Sequence, residues 1–506
     1  MNEAMELREL LVGIIDVVPE HNCIIEGLAI DSRIIKKGDL FLACKGAKTD
    51  GRFFIKEAID RGAAAVICDS NFPGGNNEVV VSIENIPVFE IPELKMRLGM
   101  IAAKFYNYPS KRLVVIGVTG TNGKTSVTHY IANLLNKLNV PCGVIGSLGI
   151  GFPNNLVGSQ NTTPDPITLQ RSMNELVKKG AKAVAIEVSS QGLIEGRVLG
   201  VNFTIGVFTN LTREHLDYHR TMENYGKAKQ LLFTSYHLKY AIINGDDDFG
   251  MIIAEKISQS AEKISQSTEV VFYTISNKIF SKLATVVMAD NIRFKFRSII
   301  ADLIMSHGNF VLNTKILGLF NLSNLLAVIA VLEKMGIIIE EILPLIALLK
   351  PIDGRMDFYG GDRKKPLVVI DYAHTPDALE KVLVTLRKYC KGALWCVFGC
   401  GGERDRGKRA TMGEIAERNS DRVVITNDNP RHEDQHQIVG DIVKGITCPW
   451  ALEIEYDRTT AIQYAINNAG IMDVVLIAGK GHEEYQIIGD SKLPHRDKEV
   501  VLEAIK

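Results

Sequence analysis

Short apolar runs recur along this chain between stretches in which apolar positions return every three or four residues, the alternation expected of strands and helices in an α/β protein. Near the start, Leu40-Phe41-Leu42-Ala43 predicts a strand, Phe54–Arg61 a helix and Ala63–Cys68 a second strand, together a small α/β domain. Between residues 111 and 350, strands at 113–118, 183–188, 203–208 and 240–243 alternate with helical patterns such as Thr128–Leu138, as in a parallel sheet covered on both faces. From Pro351 the alternation restarts, with strands at 367–370, 394–398, 422–425 and 474–477 in a Rossmann-like pattern, where ligands bind at the carboxyl ends of strands. The segment Tyr106-Asn107-Tyr108-Pro109-Ser110 interrupts the pattern, because Pro109 disfavours helix at Tyr108. The expected organisation is three α/β domains, over residues 1–108, 109–350 and 351–506. A near-duplication, EKISQSA then EKISQST within Glu255–Thr268, is polar enough to read as a surface insertion.

Composition narrows the partners without changing that picture. With 506 residues the chain is long enough for about three domains, each with its own core. Lys+Arg number 58 against 59 Asp+Glu, a formal net charge of −1, so no global field gathers nucleic acid or holds the chain on an anionic membrane. Small-molecule partners are expected instead. The richest apolar stretch, Ile337–Leu349, is broken by Glu340, Glu341 and Pro344, so no membrane span is predicted. Eight scattered cysteines without C-x-x-C pairs, and an N-terminus too polar for a signal peptide, predict reduced thiols and a cytoplasmic location.

The densest chemistry lies at Gly117-Val118-Thr119-Gly120-Thr121-Asn122-Gly123-Lys124-Thr125-Ser126, between a predicted strand and a predicted helix. Strand, glycine-rich turn and helix together build a phosphate cradle. Backbone N–H groups close around the oxyanions, Lys124 reaches the β/γ-phosphates, and the Thr125 hydroxyl is placed for Mg²⁺. The predicted ligand is ATP. Position 118, where the common P-loop has its first glycine, is valine, so the pattern becomes G-x-x-G-x-N-G-K-[ST]. Two further segments fall at strand ends. Glu187, in Glu187-Val188-Ser189-Ser190, is placed like the acidic residue that helps to hold Mg²⁺ in P-loop enzymes. The loop Phe208–His219 carries His215, His219, Glu214 and Asp217, a cluster suited to a metal or a phosphate.

The variant T-G-T-N-G-K-T resembles the loop of the Mur ligases and their folylpolyglutamate synthase relatives. The resemblance extends almost end to end, through NTTP (161–164), EVSS, FTNLTREHLDYH, GLFNLSN (318–324), GRMD (354–357), DYAHTPDAL (371–379), FGCGGERDRGKR (398–409), TNDNPR (426–431) and AGKGHE (478–483). It is nearest to the branch that adds the third amino acid in peptidoglycan synthesis. It implies an N-terminal domain for the UDP-sugar, where Asp31-Ser32-Arg33 and Gly38–Phe41 match a DSR…GDLF motif, a central ATP-binding domain and a C-terminal domain for the incoming amino acid. The implied reaction is amide formation on UDP-N-acetylmuramoyl-L-alanyl-D-glutamate: the carboxylate attacks the γ-phosphorus, and the amine then displaces phosphate from the acyl phosphate. It implies two Mg²⁺ ions held by Thr125, Glu187, His215 and Lys229, the last carbamylated, because an ammonium there would repel a metal. Residues 120–126, Asn321, Arg355, Asp371 and His374 match positions around ATP. Ser32, Asn161, Thr162, Thr163, Ser189, Glu195 and Arg197 match positions around the UDP-muramoyl dipeptide. Two departures stand out: Glu195 replaces an expected Gln, and Glu214 the usual Asp. A monomer is implied.

Within that branch, Asp428-Asn429-Pro430-Arg431 separates two substrates. meso-Diaminopimelate ends in an ammonium and a carboxylate, L-lysine in an ammonium alone. An arginine fork suits the carboxylate bidentately and repels the lone ammonium. With Arg404 as a second carboxylate partner, and Asp428, Asn429, Pro430, Gly479 and Glu483 around the rest, the resemblance implies the diaminopimelate-adding activity. A lysine-adding ligase, another Mur or folylpolyglutamate-type ligase, and a P-loop ATPase that makes no product are the alternatives.

Overall fold

A computed structural model describes residues 4–46, 49–70, 80–159, 161–261, 268–276, 284–295, 298–361, 365–448 and 452–506. The chain falls into two compact units that interleave in sequence. One comprises residues 1–119, 135–206 and 231–239; the other comprises 120–134, 207–230 and 240–506.

The first unit contains two sheets. Strands Gly27–Ala29, Asp39–Ala43, Ala65–Asp69 and Ile86–Ile91 run parallel in that order, and Val80–Ile83 closes the edge antiparallel to the last. Helix Leu94–Phe105 turns Leu94, Leu98, Ile101, Ala102 and Phe105 into a core with Leu40, Leu42, Ile67 and Phe89. That spacing is the apolar stripe of an amphipathic helix, and each large aliphatic side chain so buried contributes about 1.5–3 kcal/mol. In the second sheet Val114–Thr119, Ala183–Glu187 and Cys142–Gly146 are parallel neighbours, extended by the antiparallel strands Gly149–Phe152 and Asn155–Val157. Helix Pro166–Lys178 starts with proline at its first position, and the Asp165 carboxylate accepts from the N–H groups of Ile167 and Thr168, both at 3.0 Å.

In the second unit Tyr240–Asn244, Glu269–Thr274 and Thr285–Lys295 run parallel, and the helix Leu319–Lys334 packs on all three. A six-stranded sheet follows, in the order Asp357–Gly360, Leu367–Asp371, Val474–Ala478, Leu394–Phe398, Arg422–Ile425 and Leu452–Ile454, parallel except for the first strand. Its core joins Val368, Ile370, Val397, Val424 and Ile477 to Ala461, Ile462 and Val501.

The α/β architecture and the predicted strands are present, but the region 111–350 is not purely parallel. Ser298–Met305 and Gly308–Thr314 add an antiparallel meander to Thr285–Lys295. Ser298–Met305 buries Ile299, Ala301, Leu303 and Met305 on one face. Ile300 and Ile304 lie on the other face and disguise the period of two. The first copy of the duplication forms the last turns of helix Asp248–Ala261, with Ile257 buried. Most of the second copy, 262–267, lies outside the described residues. All eight cysteines are free thiols, and no helix among the described residues is long and apolar enough to cross a membrane.

Candidate active site

The predicted phosphate turn begins where strand Val114–Thr119 ends, and helix Lys124–Lys137 starts within it. In the second unit the loop after strand Ile205–Phe208 laces this turn. Thr121 N–H donates to Asn210 O at 2.8 Å, Asn122 N–H to Asn210 Oδ1 at 2.9 Å, and the Thr209 hydroxyl to Asn122 O at 2.6 Å. Gly120 has φ +148°, and a β-carbon there would collide with Thr209 Oγ1, so glycine is required.

Two lysines converge on one carbonyl. Lys124 Nζ donates to Gly120 O and Thr121 O, each at 2.9 Å, and Lys229 Nζ donates to Gly120 O at 2.7 Å. Lys229 is buried and lies 4.3 Å over the ring of Tyr225, whose hydroxyl donates to Thr121 Oγ1 at 3.2 Å. Burial first, and the charge of Lys124 second, hold the Lys229 pKa well below its ordinary value. A shift in this direction favours the neutral amine, the form that adds CO₂, and a carbamate at this position would be an oxygen donor for a hard cation. The chemistry of this position therefore fits the implied metal only after that modification. His215, at φ +54°, has its pKa lowered to about 4, by burial first. Glu214 lies between His374 Nε2 at 2.8 Å and His215 Nε2 at 3.5 Å. Burial opposes its charge, but the hydrogen bond with His374 and the nearby charge of Lys124 help to hold its pKa well below the ordinary value.

A cavity of about 520 Å³ brings Asn122, Gly123 and Ser126 together with Asn321, Arg355 and Asp371. Arg355 Nη2 donates to Thr125 Oγ1 at 3.3 Å, and the Asp371 carboxylate accepts from the N–H groups of Met356 and Ala373, both at 2.8 Å. Burial raises the Asp371 pKa. Phe294 and Asp377 also line the cavity and were not anticipated. Asp377 was within reach of the sequence, since it sits inside DYAHTPDAL and accepts from Asn122 Nδ2 at 3.1 Å. Phe294 was not, because its strand, Thr285–Lys295, was not among the expected strands.

The residues matched to diaminopimelate gather elsewhere in the same unit. Asn429 Nδ2 donates to Glu483 Oε2 at 3.0 Å, and Arg431 Nη1 donates to Gly402 O at 2.8 Å. A β-carbon on Gly401 would sit 3.0 Å from Arg431 Nη1 and 3.6 Å from Arg404 Cγ, so the two arginines flank one point. Burial, then Arg404, lowers the Arg431 pKa. Asp428 Oδ2 faces Gly479. Lys480 was overlooked: it is fully buried and donates to Asn429 Oδ1 at 3.0 Å and Glu483 Oε2 at 2.8 Å. Its signal was present in AGKGHE, as a lysine between two glycines at a strand end.

The remaining matched residues belong to the first unit. Ser147 N–H and hydroxyl hold the Glu187 carboxylate at 2.9 and 3.0 Å. The Thr163 hydroxyl donates to Glu187 O at 2.8 Å and accepts from Ser189 N–H at 2.9 Å. Arg197 donates to Thr163 O at 2.8 Å and pairs with Glu195 at 2.8 Å. Thr162 is partly exposed and Asn161 exposed; Ser32 donates to Glu57 Oε2 at 2.9 Å. Of the four implied metal ligands, Glu187 lies in this unit, and Thr125, His215 and Lys229 lie in the other.

Three family models match successive parts of the chain: the Mur ligase family, catalytic domain, at 24–106; the Mur ligase middle domain at 118–332; and the Mur ligase, glutamate ligase domain, at 354–481. A Pseudomonas putida protein named UDP-N-acetylmuramoyl-L-alanyl-D-glutamate--2,6-diaminopimelate ligase is 46% identical over 93% of this chain and 92% of its own length. A Coxiella burnetii protein of the same name is 43% identical, over 95% and 96%. A solved structure with that name superposes with a TM-score of 0.69 at 33% identity, covering 99% of both chains. A Thermotoga maritima MurF ligase solved with ADP, at 18% identity over 95% of this chain and 96% of its own, shares the fold with a TM-score of 0.61.

Proposed function

The chain belongs to the Mur ligase family, and from that premise we propose that it joins meso-2,6-diaminopimelate to UDP-N-acetylmuramoyl-L-alanyl-D-glutamate, with ATP converted to ADP and phosphate, in peptidoglycan biosynthesis. Similarity over nearly the whole length of named ligases supports the reaction. The choice of amino acid rests on one observation: two arginines, Arg404 and Arg431, have side chains that approach one point beside Gly401. They suit the distal carboxylate of diaminopimelate and repel the lone ammonium of lysine.

In this reading residues 1–108 bind the UDP-sugar, 109–350 bind ATP and 351–506 bind the amino acid. The turn 120–126 cradles the phosphates, and Asn321, Arg355, Asp371 and His374 complete the nucleotide pocket. Phosphate oxygens displace Gly120 O and Thr121 O as partners of Lys124 Nζ, whose charge then offsets the repulsion between the substrate carboxylate and the γ-phosphate. Thr163, Ser189 and Arg197, with Ser32, Asn161, Thr162 and Glu195, orient the muramoyl dipeptide. The D-glutamyl carboxylate attacks the γ-phosphorus, giving an acyl phosphate and ADP. The diaminopimelate amine, held by Asp428, Asn429, Pro430, Gly479 and Glu483, attacks the acyl carbon, and phosphate departs with its bonding pair as the amine loses a proton. Thr125, Glu187, His215 and carbamylated Lys229 would hold Mg²⁺, which when bound supplies positive charge at the phosphates. The protein acts as a cytoplasmic monomer.

The deciding experiment follows phosphate release from Mg-ATP and UDP-N-acetylmuramoyl-L-Ala-D-Glu with meso-diaminopimelate or L-lysine, and weighs the product. Release with diaminopimelate alone is expected. Preference for lysine overturns the role given to Arg431, and release without either amino acid indicates an ATPase rather than a ligase.

A further inference from the structure

Arg355 stands outside any helix or strand, between helix Ile339–Ile346 and strand Asp357–Gly360. A long side chain in such a segment samples many rotamers unless neighbours fix it. Its guanidinium donates to Thr125 Oγ1 at 3.3 Å and lies 4.3 Å over the ring of Tyr372, which lines the same cavity, while its buried Nε has no hydrogen-bond partner. A single 3.3 Å hydrogen bond fixes a guanidinium weakly, so the aromatic face is a further constraint beside the nearby Asp371 carboxylate.

The Tyr372 ring is itself held by two histidines. His482 lies 5.2 Å away, tilted at 35°, and His374 lies 4.6 Å away, nearly edge-on at 69°. The backbone brings His482 there: Gly354, at φ +66°, packs so tightly that a β-carbon would run into His482 N and Gly481 C. The residue before Arg355 and the residue before His482 are thus in direct contact. Burial first, then Arg355, lowers the His482 pKa to about 3, so the ring is neutral and adds no charge beside the guanidinium. His482 also sits between Lys480 and Glu483, which share Asn429.

We propose that Tyr372 and His482 are positioning residues, forming an aromatic platform that fixes the Arg355 guanidinium over Thr125 and ties it through one short segment to the Lys480–Asn429–Glu483 cluster. The platform makes the arginine of the nucleotide pocket depend on the segment that shapes the amino-acid pocket. This deepens the functional reading above and rests on Arg355 serving the nucleotide.

The test uses the full chain and measures ATP affinity with a fluorescent ATP analogue, the KM for each substrate, kcat and the unfolding temperature. Tyr372→Leu weakens ATP binding about tenfold with little change in the KM for the UDP substrate, whereas Tyr372→Phe, which keeps the aromatic face, stays within about twofold of the parent. His482→Ala raises the KM for ATP and for diaminopimelate together, and His482→Phe restores most of the loss in ATP binding. Adding Tyr372→Leu to Arg355→Ala costs nothing beyond Arg355→Ala alone. Additive losses in that double variant overturn the platform, as does normal ATP binding in both Tyr372→Leu and His482→Ala. If Arg355→Ala itself leaves ATP binding intact, the nucleotide reading of Arg355 fails first. Should Tyr372→Leu not fold, the same cycle run with His482→Ala decides.

Discussion

The phosphate turn and the amino-acid pocket both gather cations, but they stabilise them differently. In the turn, Lys124 and Lys229 share the carbonyl of Gly120, and one of them is driven toward the neutral amine. In the amino-acid pocket Lys480 has an anionic partner in Glu483, and Arg431 donates to main-chain oxygens beside Arg404. In the first arrangement the lysines donate to main-chain carbonyls near the Glu214 carboxylate, and in the proposed role an incoming phosphate takes the place of those carbonyls. The second keeps the Lys480–Glu483 ion pair as framework, and in the proposed role its arginines meet a carboxylate. In the proposed reading, a catalytic site and a selective site would thus be built from the same residue types by changing what satisfies them.

The comparison breaks most visibly at Lys124. Lys124→Ala is expected to lower kcat by on the order of 10³-fold, because the charge at the transferring phosphoryl group is lost. Gly120 O retains Lys229 as a donor, so the unfolding temperature should move little. A stopped-flow phosphate assay beside a thermal melt checks both halves. A large drop in melting temperature would mean that the lysine pair is structural rather than held ready for phosphate.

A pH titration sharpens the contrast next. His129, on the helix that follows the turn, is buried with Nε2 unpartnered, and burial, then Arg355, lowers its pKa from 6.5 to about 4. Above pH 6.5 the folded and unfolded chains are both neutral there. As pH falls toward 4, the unfolded chain takes up a proton that the folded chain refuses, and stability drops. The shift corresponds to about 3 kcal/mol once pH is below the folded value. His129→Phe should therefore flatten the dependence of stability on pH between 6.5 and 4, measured by urea denaturation. An unchanged slope would place the acid sensitivity elsewhere.

Arg431→Ala comes third, raising the KM for diaminopimelate by roughly 10–100-fold, the range for losing a charge-assisted hydrogen bond, with kcat for saturated enzyme less affected. The KM for ATP should stay constant, since Arg431 lies outside the lining of the nucleotide cavity. A parallel rise in both constants would merge the two pockets.

These two regions also differ in how far the sequence discloses them. The phosphate turn is contiguous: strand, glycines, lysine and helix follow one another, so local pattern was enough to expect it. The amino-acid pocket comes from three separate segments, 401–404, 428–431 and 479–483, and only the family resemblance linked them. Lys480 escaped because one of the partners that satisfy it, Asn429, is distant in sequence. Phe294 escaped because outward isoleucines on the neighbouring strand hid the antiparallel meander that carries it. The tight packing of Gly354 against His482 has no local signature, since it depends on two loops meeting.

The smallest expected effect concerns a cation that does have an anionic partner, in the first unit. Glu195 pairs with Arg197 at 2.8 Å, and the side chains are 25% and 20% exposed. Such partly exposed pairs contribute roughly 0–1 kcal/mol. Glu195→Gln should therefore leave stability almost unchanged, because Arg197 keeps its 2.8 Å bond to Thr163 O. The effect should appear in binding. A guanidinium already paired with a carboxylate must give up that partner to engage a substrate carboxylate, so releasing it lowers the KM for the UDP substrate by about two- to fivefold. The KM values for ATP and diaminopimelate should not move. A rise in the KM for the UDP substrate would reverse the reading: Glu195 would then be holding Arg197 in its working rotamer, and the first unit would follow the rule of the amino-acid pocket, where an ion pair is framework, rather than that of the phosphate turn, where the cation is released to the substrate.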